Sequence, residues 1–271
     1  MEKTSGARIR DFLDKRANAC LDRVDVFSEL ASTNTYLLEQ PAPRSGRCRV
    51  ALADHQTAGR GRLGRVWHSP RLSGLYMSVA YTFGSLTHNV SCFTLAAGIA
   101  VARALESLGV SDIRLKWPND LVLLNAKLGG ILTEIQSDTR QSGTVVTGIG
   151  INLHMGGQLG GVTSNIGRIA ALGQVIAGEP DRMELAAAII AQLIPASIQF
   201  ETDGFAPFYR RWRQYDWLQG KAVRVTVAGG ATEGVARGID EEGALLIDQA
   251  GTIKRVVSGS VSLGSAGGCT Q

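Results

Sequence analysis

At 271 residues, 44% hydrophobic and 19% charged, the sequence has the composition of a folded protein with room for a main domain and a small one. A formal net charge of +4 permits polyanion binding without demanding it. Cys20, Cys48, Cys92 and Cys269 form no CxxC pair and predict free thiols, and the four scattered histidines argue against a transition-metal site. With no apolar N-terminal segment and no apolar run near about 18 residues, a soluble, cytoplasmic protein is expected.

In chain order, residues 8–40 follow a loose helical spacing, and in STNTYLLEQ an N-cap at Ser32 or Thr33 opens a short helix that Pro41 and Pro43 stop. CRVALADHQ predicts a strand leading into an arginine-rich loop, and GLYMSVAYTF alternates as the strand that follows it. SCFTLAAGIAVARALESLG is the clearest helix, capped by Ser91 and ended by Gly109. IRLKWPNDLVLLNAKLGGILTEIQS predicts a strand, a proline turn and two strands joined around Asn125 and Ala126, with TVVTGIGINLH as a further strand.

DRMELAAAIIAQLIPASIQF and FAPFYRRWRQYDWLQ are helices, the first bent or ended near Pro195. From Lys221 the texture changes to short strands with glycine-rich turns, KAVRVTV, GVARGI, GALLID and IKRVV, which predict a small barrel-like module with a solvated acidic turn at Asp240 to Glu242. A boundary near Gly220 divides 1–220 from 221–265, leaving 266–271 as a disordered tail. Without regular βαβ alternation the expected class is α+β, a mixed sheet layered with helices.

Seven arginines and one acid, Asp54, lie between Arg44 and Arg71, and three of the arginines fall in GRGRLGR at 59–65. Glycine brings backbone N–H groups close to an anion and arginine adds planar multidentate donors, so the loop suits a flap over phosphates or a solvated basic loop touching RNA. It is not a P-loop, since no GKS or GKT follows. Lys127 is either a turn lysine or a compact charge for an α-phosphate, as needed when a carboxylate displaces pyrophosphate. KWPND places Asn119 and Asp120 at a strand tip, or makes a plain turn over a core tryptophan. In GIGIN, Gly148 and Gly150 weaken a strand unless something lies flat on it, and Asn152 could face a base or ribose; a bulge is the other reading. Ser32, Thr33 and Asn34 cap a helix or present hydroxyl and amide groups to a small polar ring.

Taken in order, STN, HQTAGRGRLGRVW, GLYMSV, KWPNDL, KLGGILTE, GIGIN and the C-terminal β module closely resemble the biotin protein ligases over roughly Val26 to Leu263. The resemblance implies a class II synthetase-like catalytic domain with an SH3-like C-terminal domain. It also implies two steps: biotin and ATP with Mg2+ give biotinyl-5′-AMP and pyrophosphate, then a lysine of a biotin carboxyl carrier protein domain takes the biotinyl group. By the same resemblance Ser32, Thr33, Asn34 and Gln56 meet the biotin head, and Arg60, Gly61 and Arg62 lie on a loop that closes over the biotin chain and adenylate and orders with ligand. Arg65 completes that loop and Trp67 lies near the adenine. Lys127 holds the biotin carboxylate and α-phosphate, with Gly129 and Gly130 allowing close approach; Asn119 and Asn152 line the nucleotide side, and Asp120 lies near the magnesium. Lys127 and Arg62 are the implied catalytic residues.

Two departures qualify the resemblance. Only 31 residues precede Ser32, too few for the winged-helix domain of bifunctional members, so a ligase without sequence-specific DNA binding is expected. Gly264 stands where some relatives carry an arginine, a contact either missing or replaced by Arg255. No membrane partner is expected, and monomer and homodimer both stay open. The nearest rival, a lipoate-protein ligase, shares the adenylation logic but not the GRGRxGR loop and KWPND. A nucleic-acid-binding repressor is disfavoured because only Trp67 interleaves the arginines.

Overall fold

The computed structural model describes residues 5–85, 88–137, 142–155, 167–178, 180–227 and 229–264; the expected tail at 266–271 lies outside them. Along the chain run α1 (Ser5–Phe12), α2 (Lys15–Cys20), β1 (Leu21–Phe27), α3 (Thr33–Glu39), β2 (Cys48–Ala53), β3 (Gly74–Phe83), α4 (Phe93–Ser107), β4 (Arg114–Lys116), β5 (Asp120–Leu123), β6 (Ala126–Ser137), β7 (Gly143–Asn152), α5 (Arg182–Asp203) and α6 (Ala206–Tyr215). They are followed by β8 (Ala222–Val227), β9 (Gly230–Ile239), β10 (Leu245–Gln249), β11 (Thr252–Val256) and β12 (Ser260–Leu263). The first seven strands form one mixed sheet in the order β1-β2-β3-β7-β6-β5-β4, parallel between β1 and β2 and antiparallel elsewhere.

Period-two alternation sorts the two faces of this sheet. Leu75, Met77, Val79, Tyr81 and Phe83 of β3, with Val145, Ile149 and Ile151 of β7, join the main core that α4, α5 and α6 cover. The opposite face carries Ala51, Ala80 and Val146, on which Leu37 of α3 packs. Because α3 is short, most of the β6–β7 surface beside it is left for other groups to line.

Several local expectations change. LDRVDVF is not helical but forms β1, in register with β2 from Leu21↔Cys48 to Phe27↔Ala53, so long-range pairing overrides a weak helical pattern. The cap before α4 is Asn89, whose Oδ1 accepts from the Ser91 N–H at 3.1 Å, because a 3₁₀ turn (Val90–Cys92) precedes the helix. Pro195 neither ends nor divides α5, whose Ile189, Ile190, Leu193, Ile194 and Phe200 are buried. Val90–Ser107 and Arg182–Asp203 are long and apolar enough, by length and composition alone, to cross a bilayer, contrary to the sequence expectation; both are mostly buried within the protein.

The last five strands form an antiparallel sheet ordered β11-β10-β9-β8-β12, and among the described residues no ladder joins β11 to β12 to close it. The turn at Asp240 to Gly243 is not merely solvated. Cys92 Sγ donates to Glu242 O at 2.8 Å and Trp117 Nε1 donates to Gly243 O at 2.9 Å, so this turn seats the small sheet against α4 and the end of β4. Arg255 is paired there with both Asp240 and Glu242 and does not line the cleft described below, which removes it as the substitute for the contact absent at Gly264.

Trp117 is 1% exposed, so losing its N–H leaves a buried carbonyl unpaired. Trp117→Phe is expected to cost about 1–2 kcal/mol and to lower the melting temperature by about 2–8 °C, read by calorimetry.

Candidate functional site

On the α3 side of the main sheet lies a cavity of about 190 Å³. Its floor is β7, which pairs without interruption with β3 and β6, so the glycines of GIGIN mark no bulge. Gly148 and Gly150 fall on the cleft face. A Cβ on Gly148 would stand 2.3 Å from Asn34 Oδ1, and one on Gly150 2.5 Å from the indole of Trp67. The glycines therefore let an amide and an aromatic ring lie directly on the backbone. Gly130, on β6, lies beneath Trp67 as well, with 3.5 Å between its built Cβ and the ring. Gly129 faces the other way: its Cβ would meet Gly150 O at 2.4 Å, so it serves close strand packing and does not line the cavity.

One end of the cleft is a chain of polar groups. Ser32 caps α3, its Oγ accepting from Thr35 N at 3.4 Å. Thr33 N donates to Gln56 Oε1 at 2.9 Å, and Gln56 Nε2 donates to Ser69 Oγ at 3.0 Å. Ser78 donates to Asn34 Oδ1 at 2.6 Å and lies 2.7 Å from Thr33 Oγ1. Asn34 Nδ2 donates to Leu132 O and to Glu134 Oε2. Ser69, Ser78 and Glu134 went unassigned in the sequence; alternation along β3 and β6 was the available signal, since it puts Ser78 and Glu134 on the cleft face.

Over the cleft, Gly59 to Trp67 folds as a hairpin. Arg60 bridges Val66, Gly61 N donates to Arg65 O at 2.7 Å, and Trp67 N donates to Gly59 O at 2.9 Å. A 3₁₀ turn (Arg62–Gly64) makes the tip, with Leu63 and Gly64 at φ of 57° and 72°. The three arginines diverge, Arg60 to the main sheet and Arg62 and Arg65 to the start of the last strand of the small sheet. Arg60 forks onto Glu134, Arg62 Nη1 lies 3.5 Å from both Asn119 Oδ1 and Gly259 O, and Arg65 Nη2 donates to Ser260 Oγ at 2.9 Å. The hairpin thus touches both sheets.

The other end is cationic. Asp120, at the start of β5, is buried, with Lys127 Nζ 2.6 Å from Oδ1 and Lys116 Nζ 3.2 Å from Oδ2. Burial opposes the charge of Asp120, but the two ammoniums outweigh it and hold its carboxyl below the ordinary value. Burial lowers Lys116 despite its partner, and burial with the neighbouring Arg65 lowers Arg62. Lys127 also lies 5.6 Å from the Trp67 ring centroid. Asn119 Nδ2 donates to Ile131 O and Asn152 Nδ2 to Ala170 O, so both amides brace the walls.

Asp120, expected near magnesium, is paired in the free protein with Lys116 and Lys127. Among the described residues no three His, Cys, Asp or Glu side chains cluster to hold a metal. Lys116 was missed although it stands first in KWPND; a lysine there reads as an exposed strand end until Asp120 folds onto it.

Asp120→Asn leaves two lysines facing a neutral amide and is expected to cost about 3–5 kcal/mol. Because the folded carboxyl titrates below its unfolded value of about 3.9, its contribution is complete above that pH and fades as the pH falls through the lower folded value. Urea unfolding between pH 7 and pH 3, run on both proteins, is expected to show the gap narrowing only at the acid end.

The sequence pattern of the biotin/lipoate A/B protein ligase family matches residues 26–152, and that of the biotin protein ligase C-terminal domain matches 219–264. The chain is 38% identical over 260 residues to the bifunctional ligase/repressor BirA of Salmonella typhimurium, covering 96% of this chain and 78% of that protein. It is 31% identical over 272 residues to the biotin–acetyl-CoA-carboxylase ligase of Mycobacterium tuberculosis, covering 95% and 98%. Among solved structures, a biotin protein ligase from Aquifex aeolicus in complex with biotin and ATP superposes with a TM-score of 0.75 at 27% identity, covering 90% of this chain and all of that one. A seven-stranded sheet with a glycine-floored cleft, an arginine hairpin over it and a small antiparallel sheet beside it are therefore the frame of a shared family: the chain belongs to the biotin protein ligases.

Proposed function

We propose that this chain activates biotin with ATP as biotinyl-5′-AMP and transfers the biotinyl group to a lysine of the biotin carboxyl carrier domain of a carboxylase, in the cytoplasm. The observation that carries this reading is the pairing, in one cleft under one lid, of a hydrogen-bonding end at Thr33, Asn34 and Gln56 with a cationic end at Lys127 and Arg62. The first suits a polar ring and the second a carboxylate meeting a phosphate.

In the first step a carboxylate oxygen forms a bond to the α-phosphorus while the bond to pyrophosphate breaks. Negative charge gathers on the phosphoryl oxygens, and Lys127, oriented by Asp120, is placed to stabilise it, with Arg62 on the lid. In the second step the carrier lysine attacks the acyl carbon and AMP leaves. No protein nucleophile is needed; the protein contributes positioning, and the lid keeps water from the anhydride. Magnesium would be held chiefly by the phosphates of ATP, supplying charge neutralisation there. Trp67, packed directly on Gly150, offers a ring for the adenine.

Pyrophosphate release measured with biotin or lipoate, followed by transfer to a carrier domain, tests the reading: release with biotin is expected, and release with lipoate alone overturns it. Lys127→Ala is expected to cut adenylate formation by about 10²-fold or more, seen in single-turnover pyrophosphate release. Arg62→Gly is expected to keep part of that rate but release the adenylate early, read as labelling of bystander lysines by mass spectrometry.

A further inference from the structure

Glu134 takes no part in the reaction outlined above, yet its carboxylate lies at the junction of the lid and the polar end. Alternation along β6 puts Glu134 on the same face of the sheet as Gly130 and Leu132, which line the cleft, and Glu134 is the acid among the three. Its Oε1 accepts from Arg60 Nη2 at 2.7 Å, and its Oε2 accepts from Arg60 Nη1 at 3.2 Å and from Asn34 Nδ2 at 2.9 Å. A planar guanidinium set on both oxygens of a carboxylate is fixed in direction as well as distance. Arg60 stands at the base of the lid, bridged to Val66 on its returning strand, with Nη1 also 3.3 Å from Thr35 Oγ1. The fork therefore sets the direction in which the hairpin leaves Gly59.

Asn34 is fixed by the same group. With Nδ2 donating to Leu132 O at 3.2 Å and to Glu134, the amide cannot turn over, and Oδ1 stays on the Ser78 hydroxyl. The side chains of Arg60 and Glu134 are 45% and 22% exposed, so water and salt reach the pair and it can open.

We propose that Glu134 is a positioning residue that latches the lid through Arg60 and locks the orientation of Asn34, so that closing the cleft and setting its polar end depend on one carboxylate. Its effect on the reaction rests on the ligase reading, whereas its hold on the lid belongs to the free protein.

The test compares amide hydrogen exchange in the free wild type and in Glu134→Gln, which keeps the shape but loses the charge and one acceptor. Exchange across 60–66 is expected to rise about two- to fivefold in the variant, with peptides from β3 and α5 unchanged. Raising salt from about 50 mM to about 500 mM is expected to speed the wild-type loop and leave the variant loop as it was. Equal loop exchange in the two proteins, with equal salt response, overturns the proposal. Should Glu134→Gln not fold, Glu134→Asp, which keeps the charge on a shorter arm, carries the same comparison with a smaller rise expected. With biotin and ATP present, the share of activated biotin escaping to bystander amines and the KM for biotin are expected to rise together. A loop that responds as expected in a wild type that forms no adenylate keeps the latch and sinks the ligase reading.

Discussion

The height of β7 at Gly148 and Gly150 sets everything on the cleft side of the main sheet. Asn34 and Trp67 occupy the space that two Cβ atoms would fill, so the start of α3 and the end of the lid are both seated on bare backbone. Each glycine in a central strand sacrifices about 0.5–1 kcal/mol relative to alanine. That loss is offset because β7 is hydrogen-bonded on both sides along its length and its opposite face buries Val145, Ile149 and Ile151. The strand is strong where it faces the core and bare where it faces the cleft, and the same alternation produces both.

Charge is the second constraint. Lys116, Lys127, Arg62 and Arg65 converge on a region where Asp120 is the buried acid. Removed from water, one carboxylate shared by two ammoniums leaves an excess of positive charge that an entering polyphosphate can neutralise. The polar end behaves differently, since Gln56, Thr33, Ser78 and Asn34 bond in a chain that ends on Ser69 at one side and on Glu134, paired with Arg60, at the other. The cleft therefore has a hydrogen-bonding end and an end with excess positive charge.

What the sequence made legible follows from the range of each signal. The strand–loop–strand order around GRGRLGR, the proline turn of KWPND, the Lys127 hairpin and the bare-backbone glycines of GIGIN all rest on glycine, proline and alternation, which act over a few residues. β1 was not legible, because its identity comes from pairing with β2 rather than from its own pattern. Nor were the partners of the lid: Arg60 meets Glu134 across 74 residues and Arg65 meets Ser260 across 195. Asp120 shows the limit most clearly, since an acid after a proline turn reads as a free ligand until two lysines are seen to converge on it. Gly129 and Gly130 look equivalent in one dimension and face opposite sides of the sheet in three.

The small C-terminal sheet touches the rest of the molecule on both sides of one turn. Gly243 O receives Trp117, while Gly259 and Ser260 meet the arginines of the hairpin, one of which also reaches Asn119, two residues from Trp117. The sheet is separate in topology but not interchangeable. Replacing it with the corresponding segment of a relative requires the carbonyls of Glu242, Gly243 and Gly259 and the hydroxyl of Ser260 to arrive in register. Those few positions hold the junction between the two sheets, while Val223, Val225, Ala236 and Leu245 hold the small sheet's own core.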